Sequence, residues 1–169
     1  LWIHSKYEYN ARKWKSFYSR SSTDLNQPYL FLTIQSIIQH CGQDFSICLI
    51  DDETFSVLIP NWDLDVSGSP EPFKSLYRQF GISRLLYIYG GVFVPNSFLC
   101  FRNLKPLYDD CVMNNKPFVG EIVSRTVNNI HYPKSLFVPS ISFMGAKKRD
   151  PEINKMSNFL RLRCRHGLF

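Results

Sequence analysis

The 169-residue chain is long enough for one domain with a real core and too short for two of ordinary size. Hydrophobic residues make up 44% and charged residues 20%, which excludes a disordered chain. The net charge of +6 leaves phosphate-rich partners open, while the longest apolar runs, at residues 47–50 and 85–89, fall far below the roughly 18 residues of a membrane-spanning helix.

In chain order, Leu1 to His4 predicts an opening strand, and the polar stretch at residues 7–20 an irregular segment or short helix. Asn26 before Pro28 marks a helix start, because Asn caps free N–H groups and Pro loses nothing in the first turn. Leu30, Ile34, Ile37, Ile38 and Cys41 then share one helical face, closed by Gly42. Residues 45–50 read as a buried strand that ends at Asp51 and Asp52, and residues 53–58 as a short helix. Pro60, Gly68, Ser69, Pro70 and Pro72 mark a long connection.

Residues 73–89 keep helical spacing, with Gly81 expected to break the run at a bend and Gly90-Gly91 to end it. Val92 to Val94 is a strand stopped by Pro95, and residues 98–101 predict another after a tight Pro-Asn-Ser turn. Beyond it lie a helical turn at residues 104–108, strands at 118–123 and 140–144, and a final helix over 151–162 with Asp150 as cap. Alternating strands and helices predict a single α/β domain over residues 1–169, with a mainly parallel, Rossmann-like sheet covered by helices on both faces.

Five cysteines without a CxxC pair, and no N-x-[ST] acceptor, favour a reducing compartment. The four histidines show no metal-ligand spacing, so no zinc site is expected. Lys147, Lys148, Arg149, Arg161, Arg163, Arg165 and His166 form a basic C-terminal cluster. No recognition motif accompanies it, so a solvated face is the first reading and a nucleic-acid partner is not expected. The abrupt ending at Arg165-His166-Gly167-Leu168-Phe169 suggests a chain cut short at its C-terminus, and the sequence fits a cytoplasmic or virion location.

The run Leu85-Leu86-Tyr87-Ile88-Tyr89-Gly90-Gly91-Val92-Phe93-Val94 resembles the heart of the D-x-D sugar transferases related to fungal initiating mannosyltransferases and bacterial capsule enzymes. Trp2-Ile3-His4 is similar to that family's first strand, Asp51-Asp52-Glu53 to its acidic loop, and Ser142-Phe143-Met144-Gly145-Ala146 to a later strand. The resemblance implies a GT-A-like fold. It also implies a nucleotide-sugar site, to which Trp2, His4, Asp51, Asp52, Arg84, Gly90 and Gly91 would contribute. In such a site the two aspartates of D-x-D hold a divalent cation, which stabilises the charge that builds on the diphosphate as the sugar leaves.

Here Pro95-Asn96-Ser97 stands where D-x-D should be. Pro95 has no ligating side chain, Asn96 offers a neutral carbonyl, and Ser97 is a poor ligand for Mg²⁺ or Mn²⁺. The family's Asp-x-x-Arg is replaced by Gln79 and Ile82, with Arg78 and Arg84 displaced from the matching position. The expectation is therefore a pseudo-enzyme or metal-independent transferase with no confident catalytic residue, and with no cofactor unless retained activity brings Mn²⁺ or Mg²⁺. Asp51 and Asp52 stay open between ligand contacts and caps for the helix near Glu53, with capping favoured at Asp52.

A second expectation is a non-catalytic structural or interaction protein, such as a minor capsid or virion-associated component of a large DNA virus that packs against other virion proteins. It rests on Asp24-Leu25-Asn26-Gln27-Pro28-Tyr29-Leu30 and on the Gly90 to Cys100 stretch, which resemble virus-encoded relatives lacking D-x-D.

Overall fold

Three short apolar segments pair side by side to start the sheet: β1 (Trp2–His4), β2 (Cys48–Ile50) and β3 (Gly91–Pro95). The computed structural model describes residues 1–5, 28–122 and 138–166, so the readings at residues 7–20 and at Asn26 lie outside the described residues. β4 (Phe118–Glu121) and β5 (Pro139–Ala146) complete a five-stranded sheet in the order β2-β1-β3-β5-β4. The described helices are α1 (Pro28–Cys41), α2 (Thr54–Leu58), α3 (Phe73–Tyr89), α4 (Lys105–Asn114) and α5 (Pro151–His166).

The pleat sends alternate side chains to opposite faces, and each face has its own core. Trp2 and Phe93 join Phe55 of α2, Leu85 and Leu86 of α3, and Ile153 of α5 on one side. Ile3, Val92 and Val94 pack on the other against Ile37 and Cys41 of α1, with Tyr108 of α4 beside them. Helices on both faces of an α/β sheet thus match the sequence expectation.

The mainly parallel sheet needs correction, because the sheet is mixed. β1 pairs in parallel with β2 and β3, but β5 runs antiparallel to both β3 and β4. The direction of β5 is a tertiary choice that its apolar pattern does not encode. Residues 98–101 also form no strand. Their alternation is present, with Cys100 buried and Leu99 and Phe101 exposed, yet the Cys100 N–H donates to the Ser36 hydroxyl of α1 (2.9 Å) rather than to a neighbouring strand.

Gly81 does not break α3, which runs unbroken through it. A Cβ there would lie 2.7 Å from the Phe55 ring, so this glycine serves the close approach of a fully buried aromatic. Its cost of about 1 kcal/mol in helix propensity is exchanged for that packing. Asp150 acts as expected, its Oδ1 accepting the Glu152 and Ile153 N–H groups (2.9 and 3.2 Å) at the start of α5.

Candidate functional site

From β1 the chain passes to β2 on one flank and later to β3 on the other, so the strand order reverses between β1 and β3. Open α/β sheets hold ligands in the crevice outside the carboxyl ends of strands at such a reversal. His4 ends β1 and Pro95 ends β3, paired across the ladder. Beside them lies a cavity of about 250 Å³. α3 lines it with Ser75, Arg78, Gln79 and Ile82, β5 with Ile141, Ser142 and Met144, and β3 and its turn with Phe93, Pro95 and Asn96.

A buried ion pair borders this cavity. Arg78 donates from Nε to Asp52 Oδ1 (2.8 Å) and from Nη2 to Oδ2 (2.7 Å), the two-pronged geometry that suits guanidinium and carboxylate. His4 Nε2 lies 3.0 Å from Asp52 Oδ1. An ionised carboxylate only accepts, so that nitrogen carries the proton. The His4 ring stacks on Phe55 at 5.6 Å between centroids, and all three polar residues are buried. For Asp52, burial is the largest single influence and opposes ionisation. The hydrogen bonds and charges of Arg78 and His4 together outweigh it and hold the carboxyl well below the usual carboxylate range.

The neighbouring carboxylate does a different job. Asp51 Oδ1 accepts the N–H groups of Glu53 (3.1 Å) and Thr54 (2.9 Å) and the Thr54 hydroxyl (2.5 Å), which satisfies the free end of α2. The Thr54 hydroxyl bond is the main reason its carboxyl titrates below the ordinary value. Capping, favoured for Asp52 on sequence, is thus performed by Asp51. Asp52 turns inward because Arg78 waits there, one helix away.

The turn at Pro95, Asn96 and Ser97 is held by backbone and α1 contacts. The Phe98 N–H donates to the Pro95 carbonyl (3.0 Å), and the Thr33 hydroxyl of α1 donates to the Asn96 carbonyl (2.8 Å). Ser97 is exposed on the turn. Among the described residues no Asp or Glu lines the cavity, and both oxygens of Asp52 are engaged by Arg78 and His4. This donor set does not fit Mg²⁺ or Mn²⁺, which need several oxygen ligands with carboxylates among them. No group of three or more His, Cys, Asp or Glu side chains suited to a metal ion occurs among the described residues.

Of the residues singled out from sequence, the structure brings His4, Pro95 and Asn96 together at the cavity and places Asp52 behind it. Trp2, Gly90 and Gly91 lie at the opposite end of β1 and β3. There the Trp2 indole donates to the Gly90 carbonyl (2.9 Å) and packs on Tyr89. Gly90 has a φ of 74°, and a Cβ on it would meet the Lys148 backbone at 2.6 Å, so the turn itself requires glycine at this position. Arg84 sits over the Tyr87 ring at 5.2 Å and does not line the cavity.

Sequence reasoning noted Arg78 only as a displaced cation, and passed over Ser75, Ile141 and Ser142 as lining residues. One signal was readable: Ser75, Arg78, Gln79 and Ile82 recur at i, i+3, i+4 and i+7, which is a single helix face. The fold and site define an α/β mixed-sheet domain with a cavity at the strand-order reversal. Comparison of the chain with protein-family models, curated proteins and solved structures finds no match. Among the described residues, no helix is long and apolar enough to cross a membrane.

Proposed function

We propose that the chain is a GT-A-like domain that binds the glycosyl portion of a nucleotide sugar without a divalent cation, and that it is a pseudo-enzyme or a metal-independent transferase. The single observation that carries this reading is a cavity at the strand-order reversal that no Asp or Glu lines among the described residues, with the neighbouring Asp52 already paired to Arg78 and His4. The family resemblance suggests the ligand class, and the cavity with its carboxylate-free described lining supports a metal-free reading. Apolar Ile82, Phe93 and Met144 suit one face of a ring, while Ser75, Gln79, Asn96 and Ser142 offer neutral donors and acceptors. The volume of about 250 Å³ is below the ~300 Å³ lower end of sites for whole drug-sized ligands. It therefore accommodates one portion of the donor.

The test is a thermal-shift screen of UDP- and GDP-sugars run in parallel with EDTA and with Mn²⁺. The expected result is a rise in Tm of equal size in both buffers, lost when Ser142→Trp fills the cavity mouth. Absence of a shift with any donor sinks the reading, and a shift that appears only with Mn²⁺ sinks its metal-free part.

A second reading, a structural protein that packs against other chains such as a minor capsid component, draws support from α1. This helix contains no Asp, Glu, Lys or Arg and exposes Phe31, Leu32 and Ile38, of which Phe31 and Ile38 line one surface pocket with Leu49 of the edge strand β2. Light scattering checks it. Self-association that Phe31→Glu abolishes supports it, and a monomer at high concentration counts against it.

A further inference from the structure

Two of the buried thiols meet in the core. Cys41 closes α1, and Cys100 lies in the segment that leaves β3. Their sulfur atoms are 3.8 Å apart, and both residues are almost fully buried within one core cluster, among Ile3, Ile37, Val92 and Val94. The other three cysteines have separate surroundings. Cys48 lies against the Ser46 carbonyl, Cys111 against the Gly145 carbonyl, and Cys164 among Leu76, Phe80 and Leu160.

The two chain segments around Cys41 and Cys100 are already held in register. The Thr33 hydroxyl donates to the Asn96 carbonyl, and the Cys100 N–H donates to the Ser36 hydroxyl (2.9 Å), so α1 grips the outgoing turn at two points before the sulfurs meet. A disulfide requires the sulfurs to close from 3.8 Å to about 2.05 Å, and the neighbouring hydrogen bonds hold the two segments together while they do.

We propose that Cys41 and Cys100 are a latent disulfide pair, and that in an oxidising thiol–disulfide environment one covalent bond between them locks α1 to the turn that walls the cavity. With oxidised glutathione as co-reactant the step balances. One cysteine thiolate attacks a glutathione sulfur, the glutathione S–S bond breaks, and a glutathione thiolate leaves. The second cysteine gives up its proton and attacks the protein-side sulfur of the mixed disulfide, releasing the second glutathione. The protein loses two electrons and two protons, and two reduced glutathione molecules form.

Burial pushes the Cys100 thiol up to about 11, so at neutral pH the attacking thiolate is scarce in the folded chain. The bond therefore forms during folding or local opening rather than by rapid oxidation of the native state. This sets the pair apart from an exposed redox sensor.

The experiment is to unfold the full chain, refold it in a glutathione buffer rich in the oxidised form, alkylate the remaining thiols and map peptides without reduction. The expected result is one cross-linked peptide joining Cys41 to Cys100 with the mass of two hydrogens lost, and with Cys48, Cys111 and Cys164 alkylated. The oxidised chain should melt about 5–15 °C above the same chain after reduction, and Cys100→Ser refolded in the same buffer should lack that rise. Should the variant fail to fold, the wild-type pair of melts still decides. A Cys41 to Cys48 link, no link, or an oxidised chain that melts below the reduced one overturns the proposal.

Discussion

The two ends of β1 and β3 are built on different principles. At the N-terminal end, Trp2, Gly90 and Gly91 are explained in full by backbone geometry. An indole N–H reaches the carbonyl of a glycine whose positive φ and closeness to Lys148 leave no room for a side chain. At the C-terminal end, His4, Asp52 and Arg78 are buried and charged beside a cavity, where apolar residues would satisfy packing alone at lower desolvation cost. Packing and backbone geometry account for the first end, whereas the second carries a desolvation cost that packing alone does not require. That contrast supports placing the proposed ligand at the second end.

The sharpest way to break the contrast is Arg78→Met. It leaves Asp52 buried without its main counter-charge, and it should destabilise the fold by about 3–5 kcal/mol in urea denaturation. A loss under 1 kcal/mol would mean the ion pair is not held as described. Gly90→Ala comes next, at about 2–3 kcal/mol, because it combines a conformation rare for L residues with a backbone clash. Any donor-sugar thermal shift should survive that change, since Gly90 lies at the end away from the cavity.

Acid gives a smaller and graded effect. Because the folded-state pKa of Asp52 is depressed, its stabilising contribution is complete above its unfolded value of about 3.9 and is lost as pH falls from there towards the folded value. Denaturation midpoints should therefore drop below about pH 4, and drop less in an Asp52→Leu/Arg78→Met double variant. Asp51→Ala should cost only about 1 kcal/mol, the worth of one helix cap, and leave donor-sugar shifts unchanged. A reduced shift would return Asp51 to the list of ligand contacts. Arg84→Ala should change stability by no more than about 1 kcal/mol, as its contact with Tyr87 lies at a half-exposed site.

Much of this architecture is legible in the sequence. Periodicity located α1 and α3, periodicity together with the Asp150 cap located α5, and the glycine pair and Pro95 bracketed β3. What stayed hidden was decided across long separations. The reversal of β5 depends on which neighbours it meets, and its own residues read alike in either direction. Gly81 carried a local signal for a bend, but Phe55, 26 positions earlier, overrode it. The exchange of roles between Asp51 and Asp52 was equally illegible. Both carboxylates follow the same strand, and only the position of Arg78 on α3 separates cap from ion pair. The helix face at Ser75, Arg78, Gln79 and Ile82 could have been read as a site wall, had polar residues on an otherwise buried helix been weighed.

The most direct test of the central claim is a crystal structure of the chain grown with a nucleotide sugar and Mn²⁺ together. Glycosyl density is expected between His4 and Ser142, with no divalent ion beside the turn at Pro95, Asn96 and Ser97. A cation seated there beneath the diphosphate, through Asn96 or a carboxylate drawn from elsewhere in the fold, would contradict it.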